Sequence, residues 1–491
     1  MHNIELGNTT RTQKPIAISM NERKQGMYVI GTTGTGKSTF LKNIIYQDMD
    51  KDPEHGLCVL DPHGDLIEDL LNVVPENRKD DVILFDPYDL DHPFGLNLLA
   101  CNPKDPNEVR WVVSNMIGTL QRLFESWGPR LEHVLRHSLL TALTFENATM
   151  FELAQLLFLN TEESDYLAEN LENPLLRRFW KTFPKGNLRY ELVASTQNKL
   201  TPFITDDMMR NIVGQSKNTV DFREVMDKGK ILFVNLSKGN LGEANSALLG
   251  SVIVNQILMA ALRRKDTPEK QRKQFHLIVD EFQNFATESF AILQSEARKY
   301  GVDVVVAHQY RSQLDLLSLG STLNVGNMVI FRVTGRDSYE LASQFDNTPP
   351  PADTRVEPVY DTMPYQGHEF LTEVKLSTGE GGLHQEVELP RRAYNDVEAE
   401  MANKLSILPD YYAWCRLQRK SDDPEIAPEL FEARVKTEHM TAGQARSGIA
   451  NYIKKRSQEM ALTKEQVEAD ILSREFKIMK EEDIPTAKRK K

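Results

Sequence analysis

The sequence predicts an α/β protein: a mostly parallel central sheet with an inserted all-helical subdomain and a helical C-terminal extension. Three observations predict it. Short apolar runs at 27–30, 57–60, 82–85, 231–234, 275–279, 302–307 and 328–333 alternate with helix-compatible segments. That is the pattern of βαβ units whose strands are buried on both faces. Between 105 and 228 these runs vanish, and amphipathic stretches such as 131–143 and 150–159 replace them. A glycine-rich loop at 31–38 joins the first apolar run to a helix pattern at 40–45.

Taken in order, residues 1–25 are a short lead-in, partly extended and without the apolar centre of a secretory leader. Residues 26–104 are the first part of the sheet-based core, and 105–228 the helical subdomain, broken at Asn173-Pro174 and Phe183-Pro184-Lys185-Gly186. Residues 229–345 return to the core. Within them the charged run from 263 to 274 is expected to be a solvated surface loop. Residues 346–420 hold a proline-rich segment and a β-hairpin. The prolines from 349 to 364 favour a wrap without regular structure over 345–366. The hairpin is expected from 370–376 and 383–389, turning at Gly379-Glu380-Gly381-Gly382. Residues 421–491 are expected to be a helical, mobile tail. Its last residues, Lys488-Arg489-Lys490-Lys491, are either a phosphate contact or a frayed, solvated terminus.

With 491 residues the chain has room for two or three domains. Its 40% hydrophobic and 26% charged residues are ordinary for a globular protein. No apolar stretch approaches the roughly 18 residues that span a bilayer. The three cysteines, Cys58, Cys101 and Cys415, lie far apart without metal-ligand spacing, which fits a reduced cytosol. A net charge of −12 argues against a surface coated for nucleic acid, while leaving a local basic lining open.

The chemistry starts at Gly31-Thr32-Thr33-Gly34-Thr35-Gly36-Lys37-Ser38, a complete G-x-x-x-x-G-K-[ST] phosphate-binding loop. Glycines let successive backbone N–H groups converge on phosphate oxygens, and the following helix adds the positive end of its dipole. Lys37 would reach the β and γ phosphates of ATP, and the Ser38 hydroxyl would take one position on Mg²⁺. With Thr39, residues 31–38 make the nucleotide-binding set. The second half of such a site is a buried strand ending in acids, and Phe275–Val279 followed by Asp280-Glu281 fits. There Asp280 would accept a water of the Mg²⁺ shell and Glu281 would polarise the attacking water as general base.

Three further residues keep two readings each. Arg298, beside the apolar face of a helix over 286–300, is either a surface cation or a finger reaching a neighbouring subunit's γ-phosphate. Gln309, past the strand 302–307, either senses the γ-phosphate and holds the lytic water or makes a plain backbone hydrogen bond. Asp61, opening Asp61-Pro62-His63-Gly64-Asp65, either supports the site from behind or shapes a tight turn. His63 has no partners at ligand spacing, so no metal is expected there.

With these residues in place, the chain resembles the HerA–FtsK superfamily of ring-forming DNA-pumping ATPases, and most of all its type IV secretion coupling-protein and HerA-like helicase branches. The resemblance rests on the ordered series Val29 to Thr39, Leu60-Asp61-Pro62-His63-Gly64-Asp65-Leu66 and Phe94-Gly95-Leu96-Asn97-Leu98-Leu99. It continues through Ile278-Val279-Asp280-Glu281-Phe282-Gln283, Glu296-Ala297-Arg298-Lys299-Tyr300-Gly301 and Ala307-His308-Gln309. It spans about residues 15–345. It implies a RecA-like P-loop NTPase core carrying a helical subdomain, and a homohexamer with ATP sites between subunits and DNA in a central channel. Carried over by position, Lys37 and Ser38 match the Walker A residues, Asp280 and Glu281 the Walker B pair, Gln309 the polar sensor and Arg298 the trans-acting arginine. Arg23 or Lys24 is the best match for a second trans cation. Two departures are visible: no N-terminal transmembrane helices and, with 25 residues ahead of the core, no room for an N-terminal β-barrel. The expectation is therefore a cytoplasmic motor core, recruited to the membrane by a partner if at all.

The function implied is a ring ATPase that couples hydrolysis to DNA translocation in conjugative or mobile-element transfer. Two alternatives stay beside it. One is a secretion or assembly ATPase acting on protein cargo. The other is a nucleotide-switched scaffold recruiting a nuclease or relaxase through its tail.

Overall fold

A computed structural model describes residues 3–10, 13–124, 126–314, 316–345, 354–358, 375–379, 382–388, 394–418, 430–435 and 447–474. The strands are β1 (Asn3–Thr9), β2 (Pro15–Ser19), β3 (Met27–Ile30), β4 (Gly56–Asp61), β5 (Val82–Phe85), β6 (Ile231–Asn235) and β7 (Phe275–Val279). They continue with β8 (Val302–His308), β9 (Asn327–Ile330), β10 (Thr354–Pro358), β11 (Lys375–Gly379), β12 (Gly382–Glu388), β13 (Tyr412–Arg416) and β14 (Leu430–Val435).

Eleven strands form one sheet in the order β2-β1-β14-β13-β9-β3-β8-β7-β4-β6-β5. From β9 to β5 every pairing is parallel, and the pairings from β9 through β13, β14 and β1 to β2 are antiparallel. The expected mostly parallel core is present, extended at one side by an antiparallel apron. The lead-in supplies β1 and β2 of that apron. The parallel strands read as unbroken apolar runs because both faces are covered. Tyr28 and Ile30 of β3 pack into one core and Met27 and Val29 into another, and β4 divides the same way, Cys58 and Leu60 against Leu57 and Val59.

The helical insertion leaves the sheet after Phe94–Leu99, whose backbone is stitched to the returning chain. Leu96 N donates to Ile212 O (3.0 Å) and Thr219 N to Gly95 O (2.9 Å), while Asn97 Nδ2 reaches Ala148 O and Ser216 O. Five of its helices start on side-chain caps: Asp105 with Pro106, Thr149 with Glu152, Asn160 with Glu163, Asn173 with Pro174, and Asp206. The helix Glu243–Arg263 lies behind the sheet against this insertion and carries Leu248, Val252, Ile253, Ile257 and Leu258 into the core. Extended to Asp266, it is long and apolar enough by composition to cross a membrane, contrary to the expectation of no such stretch. Its most apolar window is 89% buried inside the protein, so it is a central core helix.

The charged run 263–274 is exposed or half-buried over most of its length, as expected, and is anchored by the buried Arg264, whose guanidinium donates to Tyr300 O (2.9 Å) and Lys273 O (2.6 Å) and pairs with Asp227. Other expectations change. Within the proline-rich stretch, Thr354–Pro358 is a strand, β10, paired with β12 in a separate antiparallel sheet. The hairpin β11–β12 closes at Gly379 opposite Gly382, and its first strand begins at Lys375; residues 370–374 lie outside the described ones. Finally, where a mobile tail was expected, the helices Ser447–Met460 and Lys464–Arg474 pack through Ile453, Val467 and Ile471. The first covers the β5 edge, Ser457 Oγ accepting from Leu84 N at 2.9 Å, and Arg474 of the second pairs with Glu152 in the insertion. Residues 475–491 lie outside the described ones.

Candidate nucleotide site

The loop 31–38 sits at the C-terminal ends of the parallel strands, between β3 and the helix Lys37–Lys51. Its glycines are needed for two different reasons. Gly34 and Gly36 have φ of +80° and +112°. Gly31 is pressed on a neighbour, since a Cβ there would fall 2.5 Å from Phe331 Cβ. The loop is held from behind by Thr32 N donating to Arg332 O (2.9 Å) and from within by Thr35 Oγ1 donating to Thr32 O (2.7 Å). Thr33, Gly34 and Ser38 face outward, and Thr39 is half-buried.

Lys37 is buried, its Nζ donating to Gly31 O at 2.6 Å. Burial pulls this ammonium below its ordinary value, opposed by the Glu281 and Asp280 charges. Asp280 and Glu281 follow β7 and are 6% and 5% exposed, so both carboxylates were taken out of water. Asp280 N is fixed on Leu60 O (3.1 Å), and its Oδ1 accepts from Glu281 N (2.9 Å). Burial first, then the neighbouring charges of Glu281 and Asp61, push the Asp280 carboxyl up to about 7.

Glu281 adopts φ +45°, a left-handed conformation that a residue with a Cβ holds only under constraint. Its Oε1 accepts from Gln309 Nε2 (2.9 Å) and its Oε2 from Gln283 Nε2 (2.7 Å). Gln309 Oε1 in turn accepts from Thr33 Oγ1 (3.0 Å) and from the Tyr310 hydroxyl (2.9 Å). One hydrogen-bonded line thus runs from the phosphate loop through Gln309 to the Glu281 carboxylate. Gln283 and Tyr310 were not expected to take part; the position of Gln283, two residues past Glu281 in the turn, was the available signal.

Lys37, Asp280, Glu281 and Gln309 are therefore brought together beside Ser38, while Arg298 and Arg23 lie elsewhere. Asp61 accepts from His63 N (2.8 Å), Leu66 N (2.9 Å) and Ile67 N (3.2 Å), so it forms the turn that starts the helix Asp65–Leu71, while its charge acts on Asp280. His63 is exposed. His308 is buried against Tyr28 Oη (2.6 Å) and pushed down to about 3 by burial and nearby cations, so it is a neutral packing residue.

Arg298 is exposed at the opposite edge of the sheet, beside the N-terminal ends of β3 and β8. It donates to Gln25 Oε1 and shares a cleft of about 430 Å³ with Lys24, Gly26, Gln294 and Asn324. It has no access to its own subunit's loop from there. Arg23, one of two candidates for a second trans cation, is 1% exposed and held in a buried ion-pair network with Asp48 and Asp303 (Nε to Oδ2 of Asp303, 3.2 Å). That excludes it from any exposed contact and leaves Lys24.

Among the described residues no group of three or more His, Cys, Asp or Glu side chains could hold a metal alone. A cation here would have to share oxygens with a phosphate chain. The donor set fits that: an outward Ser38 hydroxyl, and a buried carboxyl whose raised pKa marks a deficit of positive charge.

The fold has known counterparts. The plasmid coupling protein TrwB in complex with ADP and Mg²⁺ superposes with a TM-score of 0.57 over 90% of this chain and 92% of that one, at 16% identity. VirB4 of Thermoanaerobacter pseudethanolicus gives 0.55 over 88% and 96%, at 12% identity. At such identities the likeness is one of fold. An uncharacterized protein of Aquifex aeolicus (strain VF5) is 36% identical over 75 residues, 15% of this chain and 28% of that relative's length. The family model described as the type IV secretion-system coupling protein DNA-binding domain matches residues 11–341, which contain the loop, the acid pair, Gln309 and the helical insertion. By that match over most of its length, the chain belongs to the type IV secretion-system coupling protein family.

Proposed function

We propose that this protein is an ATP hydrolase that couples hydrolysis to the translocation of DNA, working as a homo-oligomeric ring, a hexamer, with DNA in its channel. The observation that carries the reading is the line Thr33–Gln309–Glu281. It links the loop that would hold the γ-phosphate to the carboxylate that would activate water. Glu281 is the general base, its lone pairs aimed by Gln309 and Gln283, and Lys37 offsets charge on the β and γ phosphates. Ser38 and, through water, Asp280 would hold Mg²⁺, which when bound neutralises phosphate charge. The relative that superposes with ADP and Mg²⁺ supports both cofactors. Arg298, facing away from its own loop, acts on a neighbour's. The protein works in the cytoplasm, recruited to the membrane by a partner that is a relaxase, a nuclease or a secretion-system component.

The net charge of −12 favours a second reading in which the cargo is protein. Hydrolysis measured with and without DNA separates the two. Duplex or single-stranded DNA should raise turnover severalfold in the wild type. Glu281→Gln should retain ATP binding while losing roughly 100-fold or more in turnover, as expected when a general base is removed. Turnover indifferent to both forms of DNA would sink the translocase, and undiminished hydrolysis by Glu281→Gln would remove Glu281 from its role.

A further inference from the structure

One aromatic residue outside the expected motifs touches the phosphate loop. Tyr411 lies between the helix Tyr394–Ser406 and β13, more than 370 residues downstream of the loop. Its backbone N–H donates to Thr35 O (2.8 Å). A Cβ on Gly36 would fall 3.0 Å from Tyr411 Cδ1 and 3.2 Å from Tyr411 Cα, so the ring and backbone lie directly on the loop. The segment before it is clamped in place, because Arg332 donates to Leu408 O (3.0 Å) and pairs with Asp410 (2.6 Å). Arg332 O is the same carbonyl that accepts from Thr32 N.

Two features of Tyr411 stand out. Its φ is +68°, which glycine or asparagine would adopt more readily. The residue is 42% exposed, whereas Phe331, which also lies against Gly36, is completely buried. A constrained aromatic with a free face at the rim of a phosphate loop is suited to stacking.

The strand order says on what. Glu281 and Gln309 mark the γ-phosphate end and follow β7 and β8, on one side of β3. The rest of a nucleotide must extend away from them, toward β9 and β13, and Tyr411 immediately precedes β13. We infer that Tyr411 is a binding residue whose ring stacks on the base of the nucleotide held by the loop 31–38. The inference rests on the reading of that loop as an ATP site. It adds that the base is held by a flat π face with little selection among purines.

The test measures Mg²⁺-ADP and Mg²⁺-tripolyphosphate binding to the full chain by calorimetry. Tyr411→Ala should weaken ADP roughly tenfold, the scale of one base–aromatic stack, and leave tripolyphosphate unchanged, while Tyr411→Phe keeps wild-type affinity for both. Tyr411→Gly guards against misfolding: it relieves the positive φ, so its thermal midpoint should equal or exceed that of the wild type while ADP affinity still falls. Equal ADP affinity in wild type and Tyr411→Ala overturns the inference, and so does an equal loss for ADP and tripolyphosphate. A wild type that binds tripolyphosphate but gains nothing from the nucleoside refutes stacking while sparing the phosphate site. A wild type that binds neither removes the ATP site itself.

Discussion

Glu281 and Asp280 are both held in states that folding alone would avoid. The left-handed backbone at Glu281 costs on the order of 1–3 kcal/mol, and the Asp280 carboxyl is pushed up to about 7 from an ordinary value of 3.8. The second cost has a definite pH sign. The folded form holds the Asp280 proton more tightly than the unfolded chain does. The resulting stability is full below about pH 4 and is lost as pH rises to about 7. Without nucleotide, Asp280→Asn should therefore raise the thermal midpoint by roughly 2–4 °C at pH 8 and leave it unchanged at pH 4. Equal midpoints for the two proteins at pH 8 would show that the carboxyl is not under this load. Asp280, Glu281 and Gln309 were legible because each stands just past an apolar run, where open α/β sheets gather their ligands, and Lys37 because it closes the phosphate-loop motif. Arg23 and Tyr411 were not, because Asp48 and Asp303, or Thr35 and Gly36, meet them only through the tertiary fold.

At the scale of elements, the parallel strands and their order along the chain could be read directly, since strands covered on both faces leave continuous apolar runs. The apron β13-β14-β1-β2 could not. Its β1–β14 pairing joins residues more than 400 positions apart, as Gly7 with Val435, and no local pattern encodes it. The terminal helices escaped for another reason: Ile453, Val467 and Ile471 are isolated apolar positions in a polar stretch. Yet the first of these helices covers the edge strand β5, which would otherwise present open hydrogen-bonding groups. A chain ending at residue 446 should lose protection over Val82–Phe85, with amide exchange there faster by roughly tenfold or more. Leu84, whose N–H is bound by Ser457, should respond most. Unchanged exchange over these four residues would show that the helix does not shield the strand.

At the scale of the molecule, the loop 31–38 and Arg298 occupy opposite edges of one sheet. A subunit lacking Arg298 should retain its own nucleotide binding and damage a neighbour's turnover. Mixed with wild type, Arg298→Ala should lower hydrolysis by more than its share of the subunits. Activity falling in simple proportion to that share would return Arg298 to the role of a surface cation.

The same separation also bears on the symmetry of the assembly. A two-fold pair that set Arg298 against the partner's loop would do so twice over and end as a closed dimer. In a head-to-tail contact one subunit's Arg298 meets the next subunit's loop once, and such a contact is polar: repeated, it either closes into a ring or runs on as a filament. Each open end of an unclosed chain leaves one half-site idle. Closure then adds a site without adding a subunit, and turnover per subunit should step upward when the last contact forms.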